Sequence, residues 1–181
     1  MIYVFLANGF EETEAIAPID MLRRAKLNVK TVGVGTKTPT SSHGIPVTAD
    51  ITADEVRLDN ELQLIVLPGG MPGTLNLKAS ETVQKAIAFC VENSIPVGAI
   101  CAAPSILGDL GLLEGRDAVC FPGFEKNLLG ANVQNKLCVT DGQFTTACGA
   151  GAALAFGLEL VKVLCGAEKS EEIRKAIVAD R

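Results

Sequence analysis

Short apolar segments alternate along this chain with longer segments in which apolar residues recur at helical spacing. The clearest apolar segments, each predicting a buried strand, are Ile2–Ala7, Val29–Val34, Leu62–Leu67 and Pro96–Ile100. Parallel strands are joined by helical crossovers and are covered on both faces, so they are apolar along their whole length. The alternation therefore predicts one α/β domain over residues 1–181 with a mainly parallel sheet, and this length is sufficient to bury a substantial core.

The remaining elements are less sharply marked. Periodicity and capping signals predict a helix at Glu12–Ala25, in which Pro18 is expected to cause a kink, and another helix with Ser80 as its N-cap. Further helices are expected at Ala103–Leu113, Ala152–Leu164 and Glu171–Ala179, further strands at Ile45–Ile51 and Ala118–Phe121, and a hairpin around Asp141-Gly142.

Charge and hydropathy narrow the choice of partners. Sixteen basic against 21 acidic residues give a net charge of −5, and the basic residues form no block. The electrostatic footprint of a nucleic-acid or anionic-membrane partner is therefore missing. The apolar stretch 147–166 contains Glu159 and Lys162. Because charges are costly in lipid, we expect a buried helix there and no membrane span.

The histidine and cysteine content restricts the chemistry. His43 is the only histidine, which excludes sites that need two histidines from one subunit. The six cysteines form no CxxC pair, a pattern that is poor for zinc, so no metal is expected. The first residues are typical of a strand rather than of a signal peptide, and we therefore expect reduced thiols in a cytoplasmic protein.

Cys101 is the sharpest candidate for a reactive residue. It lies between a predicted buried strand and a predicted helix, so it is expected on a tight turn with an exposed side chain, as in a nucleophile elbow. In an open α/β sheet, ligands bind at this carboxyl edge of the strands. The N–H groups of the following helix would favour the thiolate. From its position alone, a reactive thiol and a buried inert cysteine remain equally open.

Gly69 and Gly70 follow another buried strand. Glycines there let the backbone approach a ligand, and their N–H groups, together with that of Ala102, predict an oxyanion or substrate-binding pocket. An ordinary strand-to-helix turn is the alternative, since glycine pairs commonly mark such turns.

Three glutamates, Glu11, Glu12 and Glu14, follow the first strand. A carboxyl group beside the thiol would have a raised pKa, because of burial and the neighbouring negative charge. It could then donate a hydrogen bond to sulfur or transfer protons. The residues alone do not select one of the three.

His43 lies in a polar loop, where we expect either an exposed side chain or a contribution to the site of a neighbouring subunit. The segment that starts at Gly149 begins like a dinucleotide fingerprint but lacks its third glycine. A phosphate-binding loop is also missing from the sequence, so no cofactor is expected.

These segments together resemble the DJ-1/ThiJ/PfpI superfamily, and within it the DJ-1-like branch. The resemblance rests on residues 6–14 (LANGFEETE), on Val66–Gly70 and on Ala99–Pro104, and it extends over essentially the whole chain. It implies a flavodoxin-like three-layer sandwich, a homodimer and a reactive Cys101. It also implies that Glu14 is the protonated glutamate that hydrogen-bonds the sulfur, and that N–H groups of Gly70 and Ala102 border it.

The resemblance further implies a cofactor-independent enzyme that acts on a small carbonyl substrate, namely a reactive dicarbonyl, as a glyoxalase or protein deglycase. The alternative it implies is a redox-sensing or chaperone-like stress protein whose Cys101 is oxidised to a sulfinate, without turnover.

Two departures from the pattern bear on the mechanism. Some DJ-1-like members carry a histidine near the cysteine after the next strand, where this chain reads Cys120-Phe121-Pro122-Gly123. Peptidase-type members often have histidine directly after the nucleophile, where this chain has Ala102. A Cys–His dyad within one subunit is therefore not expected, and peptidase activity is disfavoured. Proton transfer would fall to Glu14, to water or to His43 of the partner subunit.

Overall fold

A seven-stranded sheet forms the centre of the computed structural model, which describes residues 1–179; residues 180 and 181 of the expected domain lie outside the described part. The strand order is β3-β2-β1-β4-β5-β9-β8, and every neighbouring pair is parallel except β8 with β9. A second sheet pairs β6 with β7. The strands are β1 (Ile2–Ala7), β2 (Val29–Val34), β3 (Ile51–Thr52), β4 (Leu64–Leu67), β5 (Val97–Ile100), β6 (Asp117–Ala118), β7 (Asn132–Val133), β8 (Cys138–Asp141) and β9 (Phe144–Ala147).

Helices cover both faces of the large sheet. They are α1 (Glu12–Arg24), α2 (Gly73–Ala79), α3 (Glu81–Glu92), α4 (Pro104–Asp109), α5 (Ala153–Cys165) and α6 (Ala167–Ala176), with short 3₁₀ turns at Ala53–Glu55, Glu125–Asn127 and Ala150–Ala152. Among residues 1–179, no helix has both the length and the apolar character needed to cross a membrane.

Alternate side chains of β1 enter two separate hydrophobic cores. Phe5 belongs to the cluster that includes Ile87 of α3, whereas Leu6 belongs to the cluster that includes Phe156 of α5. Successive side chains of a strand point to opposite faces, so each core lies between the sheet and one helical layer. The predicted flavodoxin-like α/β fold with a mainly parallel sheet is confirmed.

Helix α1 is held close to α5 at Gly157. A Cβ atom at Gly157 would lie 2.8 Å from Cγ of Met21 and 3.0 Å from the backbone Cα of Pro18. Pro18 lies inside α1, and the helix continues past it to Arg24. Gly157 therefore allows the two helices to approach closely, and this approach sets the position of α1 over the sheet.

The strand predicted at Ile45–Ile51 is largely wrong. The structure has an isolated bridge between Thr40 and Pro46 and the two-residue β3. Pro46 has no N–H to donate to a ladder, and the N–H of Asp50 donates to Oγ1 of Thr31. The backbone groups of this segment thus find partners outside regular strand pairing.

The helix predicted at Ala103–Leu113 is too long, since α4 ends at Asp109. Gly111 adopts a φ of +72°, and the N–H of Leu112 donates to the carbonyl of Leu107 over 3.1 Å. A left-handed glycine with such a bond is a common helix C-terminus.

The strand predicted at Ala118–Phe121 is also too long, since β6 ends at Ala118. The N–H of Val119 donates to Oγ1 of Thr146, and the N–H of Phe121 donates to the carbonyl of Cys101. This segment therefore contacts the end of β5 instead of extending a sheet.

The other boundaries differ less. Helix α6 begins at Ala167, before Ser170, whose Oγ donates to the carbonyl of Leu158. Helix α2 has no predicted counterpart. Ser80 is confirmed as an N-cap, because its Oγ accepts the N–H of Val83 over 3.4 Å. The hairpin is confirmed too, because β8 and β9 are antiparallel and joined through Gly142.

Candidate functional site

The candidate site lies at the carboxyl ends of β1, β4 and β5. These strands are parallel neighbours, so the segments that follow them meet at one edge of the sheet. Cys101 follows β5 with a φ of +66°, a conformation that is strained for any residue except glycine. Its N–H donates to the carbonyl of Ala147 over 2.9 Å. The tight turn that the sequence predicts at Cys101 is present.

Glu14, in the first turn of α1, is the glutamate that reaches Cys101. Its side chain is buried, with 1% of the residue exposed. Its Oε2 accepts the N–H of Gly69 over 3.0 Å, and the carboxyl group hydrogen-bonds the Cys101 thiol. Burial, and then the negative charge of Glu11, raise the pKa of Glu14 to about 7, against the lowering effect of these hydrogen bonds.

The other two glutamates have different partners. Oε2 of Glu11 accepts the N–H of Glu14 over 2.7 Å and so caps α1. Glu12 pairs with His43, whose Nδ1 lies 2.9 Å from Oε1 of Glu12. Burial acts to raise the pKa of Glu12, but hydrogen bonds from its own backbone, from His43 and from Ser41 outweigh it and leave that pKa below its usual value. The choice among the three carboxylates thus follows from geometry.

Two backbone N–H groups point at the sulfur. Gly70 and Ala102 each donate a hydrogen bond to Cys101, as the resemblance implied. Gly69 lies against the same group, because a Cβ there would lie 2.5 Å from both Cβ of Cys101 and Oε2 of Glu14. The carbonyl of Gly69 also accepts the N–H of Glu11 over 2.9 Å. Both polar groups of Gly69 are therefore bonded to the start of α1.

The N–H groups beside Cys101 favour the thiolate, as expected, but larger effects oppose them. Burial, the charge of Glu14 and the hydrogen bond with Glu14 raise the pKa of Cys101 to about 12, although the N–H groups of Gly70 and Ala102 act in the opposite direction. Helix α4 is short and begins only at Pro104, so its dipole contributes little at the sulfur.

His43 is not brought to the sulfur of its own subunit. Its side chain is exposed and contacts Ser42 and Glu12. Potential metal-ligand atoms of Glu11, Glu12 and His43 lie within 4.8 Å of one another, so these residues could hold a cation. Exposed groups of this kind are common without one.

The sequence did not predict that Phe121 and Gly149 lie near the Glu14 carboxyl group. A Cβ at Gly149 would lie 3.2 Å from Cδ2 of Phe121 and 3.9 Å from Oε1 of Glu14, so Gly149 lies between the Phe121 ring and the carboxyl group. In the sequence, Phe121 is visible only as part of the stretch Cys120-Phe121-Pro122-Gly123, where some DJ-1-like proteins carry a histidine. Gly149 stands out in the sequence only as the first residue of an incomplete dinucleotide-binding motif.

This arrangement of a cysteine on a strained turn, a buried carboxyl group and two N–H donors on a mostly parallel sheet defines a cysteine-centred α/β protein. Residues 1–163 match the model of the DJ-1/PfpI family, and the chain belongs to that family.

Three relatives illustrate the similarity. Protein DJ-1 homolog B of Arabidopsis thaliana is 34% identical over 96% of this chain, which spans only 40% of that protein. Deglycase PfpI of Pyrococcus furiosus is 33% identical over 87% of this chain and 95% of its own length. The crystal structure of a DJ-1 superfamily protein from Salmonella typhimurium superposes with a TM-score of 0.91 at 33% identity, covering 98% of this chain and 97% of that one. Proteins of the family are commonly dimeric.

Proposed function

We propose that this protein is a cofactor-independent, cysteine-dependent enzyme that acts on reactive dicarbonyls, as a glyoxalase or deglycase. The observation that carries the proposal is the buried Glu14 carboxyl group, hydrogen-bonded to the Cys101 thiol with a pKa near 7. A general acid–base group is most effective when its pKa lies near the working pH. The family relationship supports the same class, since one relative is named a deglycase.

The first step is addition of the thiol to an aldehyde. As the sulfur of Cys101 bonds to the aldehyde carbon, Glu14 accepts the thiol proton and the carbonyl oxygen gains the electron pair. The N–H groups of Gly70 and Ala102, which donate to the sulfur in the resting site, are close enough to stabilise the developing oxyanion. Transfer of the proton from Glu14 to that oxygen completes a hemithioacetal.

The second step is an internal rearrangement. Glu14, again a carboxylate, removes the proton from the former aldehyde carbon and leaves an enediolate whose negative charge lies on the neighbouring oxygen. Glu14 returns that proton to the neighbouring carbon, and the hydroxyl proton of the former aldehyde carbon passes to the neighbouring oxygen, which gives a thioester of a 2-hydroxy acid. Water then hydrolyses the thioester and restores the thiol. The net reaction adds one water to the dicarbonyl, and no electron acceptor is needed.

The test is turnover of methylglyoxal by the purified protein, followed as stereospecific formation of lactate. We expect Cys101→Ser to abolish it and Glu14→Gln to lower kcat/KM by roughly 10²-fold or more, the usual contribution of a general acid–base group. A matched control is Glu12→Gln, since Glu12 contacts His43 instead of Cys101. Equal rates for the wild type and Cys101→Ser would contradict the proposal.

A second candidate function is redox sensing through oxidation of Cys101 to a sulfinate. Peroxide would transfer two oxygen atoms to the sulfur in successive steps, with release of water each time. The N–H groups of Gly70 and Ala102 and a protonated Glu14 favour this function, because they can hydrogen-bond the product oxygens. Intact-protein and peptide mass spectrometry after mild peroxide should show the two-oxygen adduct at Cys101. First oxidation at Cys120 or Cys138 would remove the physical basis of this candidate.

A further inference from the structure

We propose that Phe121 determines the substrate specificity of the Cys101 site by favouring dicarbonyls that carry an aromatic or bulky apolar substituent. This inference rests on the proposed dicarbonyl chemistry and concerns the substituent that the site accepts.

The backbone of Phe121 is fixed relative to Cys101. Its N–H donates to the carbonyl of Cys101 over 2.8 Å, and its own carbonyl accepts the N–H of Phe124 over 3.1 Å. Two residues earlier, the N–H of Val119 donates to Oγ1 of the buried Thr146 over 3.0 Å. These bonds hold the segment on both sides of Phe121, so its side chain starts from a defined point beside the reactive turn.

The ring of Phe121 lies close to Gly149, which in turn lies close to the Glu14 carboxyl group. The Cβ position of Gly149 lies 3.2 Å from Cδ2 and 3.7 Å from Cε2 of the ring, and 3.9 Å from Oε1 of Glu14. Gly149 is buried, and a Cβ atom there would already crowd the ring, so the absence of a side chain lets the ring approach the backbone beside the carboxyl group. A substrate whose reacting carbon is bound to Cys101 and whose protons are handled by Glu14 would place its substituent against this ring.

The exposure of Phe121 indicates that the ring is available to a ligand. The residue is 46% exposed, and it is the one aromatic residue among the large exposed apolar side chains of residues 1–179. An aromatic ring offers apolar area and a stacking face to a substituent. A hydroxyl-rich, sugar-derived substituent would lose hydrogen bonds to water against the same surface without regaining them. The polar groups of the site, Glu14 and the N–H groups of Gly70 and Ala102, are grouped around the sulfur.

The experiment compares phenylglyoxal with methylglyoxal in the wild type, Phe121→Leu and Phe121→Ala. We expect the ratio of the two kcat/KM values to fall by roughly tenfold in Phe121→Ala, in line with the loss of one aromatic contact, and by a smaller factor in Phe121→Leu. Leu110→Ala is the matched control, because Leu110 is a similarly exposed apolar residue at the end of α4, and it should keep the wild-type ratio. The ratio cancels general effects of the substitution on folding or on the thiol.

A second measurement does not depend on turnover. Cys101 is alkylated with iodoacetanilide, which carries a phenyl group, and with iodoacetamide, which does not, and its modification is followed by peptide mass spectrometry. The wild type should favour the phenyl reagent, and Phe121→Ala should lose that preference.

The outcomes separate the two proposals. Turnover with an unchanged substrate ratio in Phe121→Ala would overturn the role of Phe121 and leave the dicarbonyl chemistry standing. If the wild type turns over neither substrate, the dicarbonyl chemistry fails, and the alkylation rates decide the role of Phe121. An alkylation preference that disappears in Phe121→Ala supports aromatic recognition, and equal preferences in the two proteins overturn it.

Discussion

Glu14 and Cys101 share a hydrogen bond and therefore titrate as one coupled pair. Burial, the largest effect at both groups, raises the pKa of Glu14 to about 7 and that of Cys101 to about 12, so both hold their protons more tightly than they would in water. The nucleophile is therefore generated by proton transfer during attack. This arrangement also leaves the resting thiol less open to unwanted alkylation, since the thiolate is the reactive form.

The raised pKa of Glu14 has a consequence for stability. The pKa of the unfolded carboxyl group is near its ordinary value of 4.5, whereas that of the folded one is about 7, so between these values the folded state binds more protons than the unfolded state. Stability must then fall as the pH rises through this window. A shift of this size corresponds to about 3 kcal/mol at most.

Glu14→Gln should remove that decrease. Chemical denaturation at a series of pH values would measure the free energy of unfolding of the wild type and the variant. We expect the wild type to lose stability between pH 4.5 and pH 7 and Glu14→Gln to show a flatter profile. Glu12→Gln is the control with the opposite sign, because the lowered pKa of Glu12 stabilises the fold above the unfolded pKa and this contribution is lost as the pH falls. Parallel profiles for the wild type and Glu14→Gln would contradict the assignment.

At the scale of elements, the position of α1 depends on its contact with α5. Gly157 leaves room for Pro18 and Met21 of α1, and α1 carries Glu14 at its other end. A change at this contact is therefore expected to reach the site although Gly157 itself lies in a different helix.

Gly157→Ala tests this coupling. Alanine is better than glycine inside a helix by about 1 kcal/mol, but the added methyl group would meet the backbone of Pro18 at 3.0 Å, and overpacking typically costs about 1–3 kcal/mol. We expect a net loss of about 1 kcal/mol in thermal or denaturant unfolding, with a lower kcat/KM. In Gly151→Ala the added methyl group meets no atom within 4 Å, so that control should stay within about 0.5 kcal/mol of the wild type. A stabilised Gly157→Ala would show that the helix contact is not tight.

The sequence predicts the buried elements well because their signals are local. Segments such as Ile2–Ala7 and Val29–Val34 are apolar throughout, and the structure has strands with the same bounds. The segments at Ile45–Ile51 and Ala118–Phe121 have β-type composition too, but their N–H groups are taken by Thr31, Thr146 and Cys101. Such long-range partners leave no periodic trace in the chain, which explains the errors.

In the candidate site, too, the local features could be predicted from the sequence and the long-range contacts could not. Cys101, Gly69 and Gly70 are visible as strand ends, because parallel strands bring their carboxyl ends to one edge. The choice of Glu14 over its neighbours depends on where the first turn of α1 points, and residue type alone does not contain that information. The pKa of Cys101 depends on a balance of burial, one carboxyl charge and two N–H donors, and only the N–H donors could be anticipated from the sequence.

At the scale of the whole molecule, the expected homodimer bears on whether His43 contributes to the site of a neighbouring subunit. Ile16 and Ile45 are large exposed apolar residues, at 45% and 50% exposure. Ile16 lies one turn after Glu12 on α1, and Glu12 contacts His43. A second copy that covers these residues would bury them and bring the two His43 loops near the interface.

Ile16→Asp should weaken that dimer. A charge placed in an apolar interface loses its hydration without a partner, so the dissociation constant measured by sedimentation equilibrium should rise by roughly a hundredfold or more. Leu129→Asp is the control, since Leu129 is also exposed, at 56%, and lies after the Glu125–Asn127 turn, away from α1 in the chain. A wild type that sediments as a monomer, or an Ile16→Asp protein that stays dimeric, would contradict this interface.

The two hydrogen bonds between Gly69 and the start of α1 bear on the search for inhibitors. Its carbonyl accepts from Glu11 and its N–H donates to Glu14, so a compound that wedges between α1 and β4 would have to break both bonds at once. Within residues 1–179, no hydrogen bond joins Phe121 to Gly149. Fragments that bind at Cys101 should therefore be easier to extend toward Phe121. Extension toward α1 should be harder, because it would have to break both hydrogen bonds of Gly69.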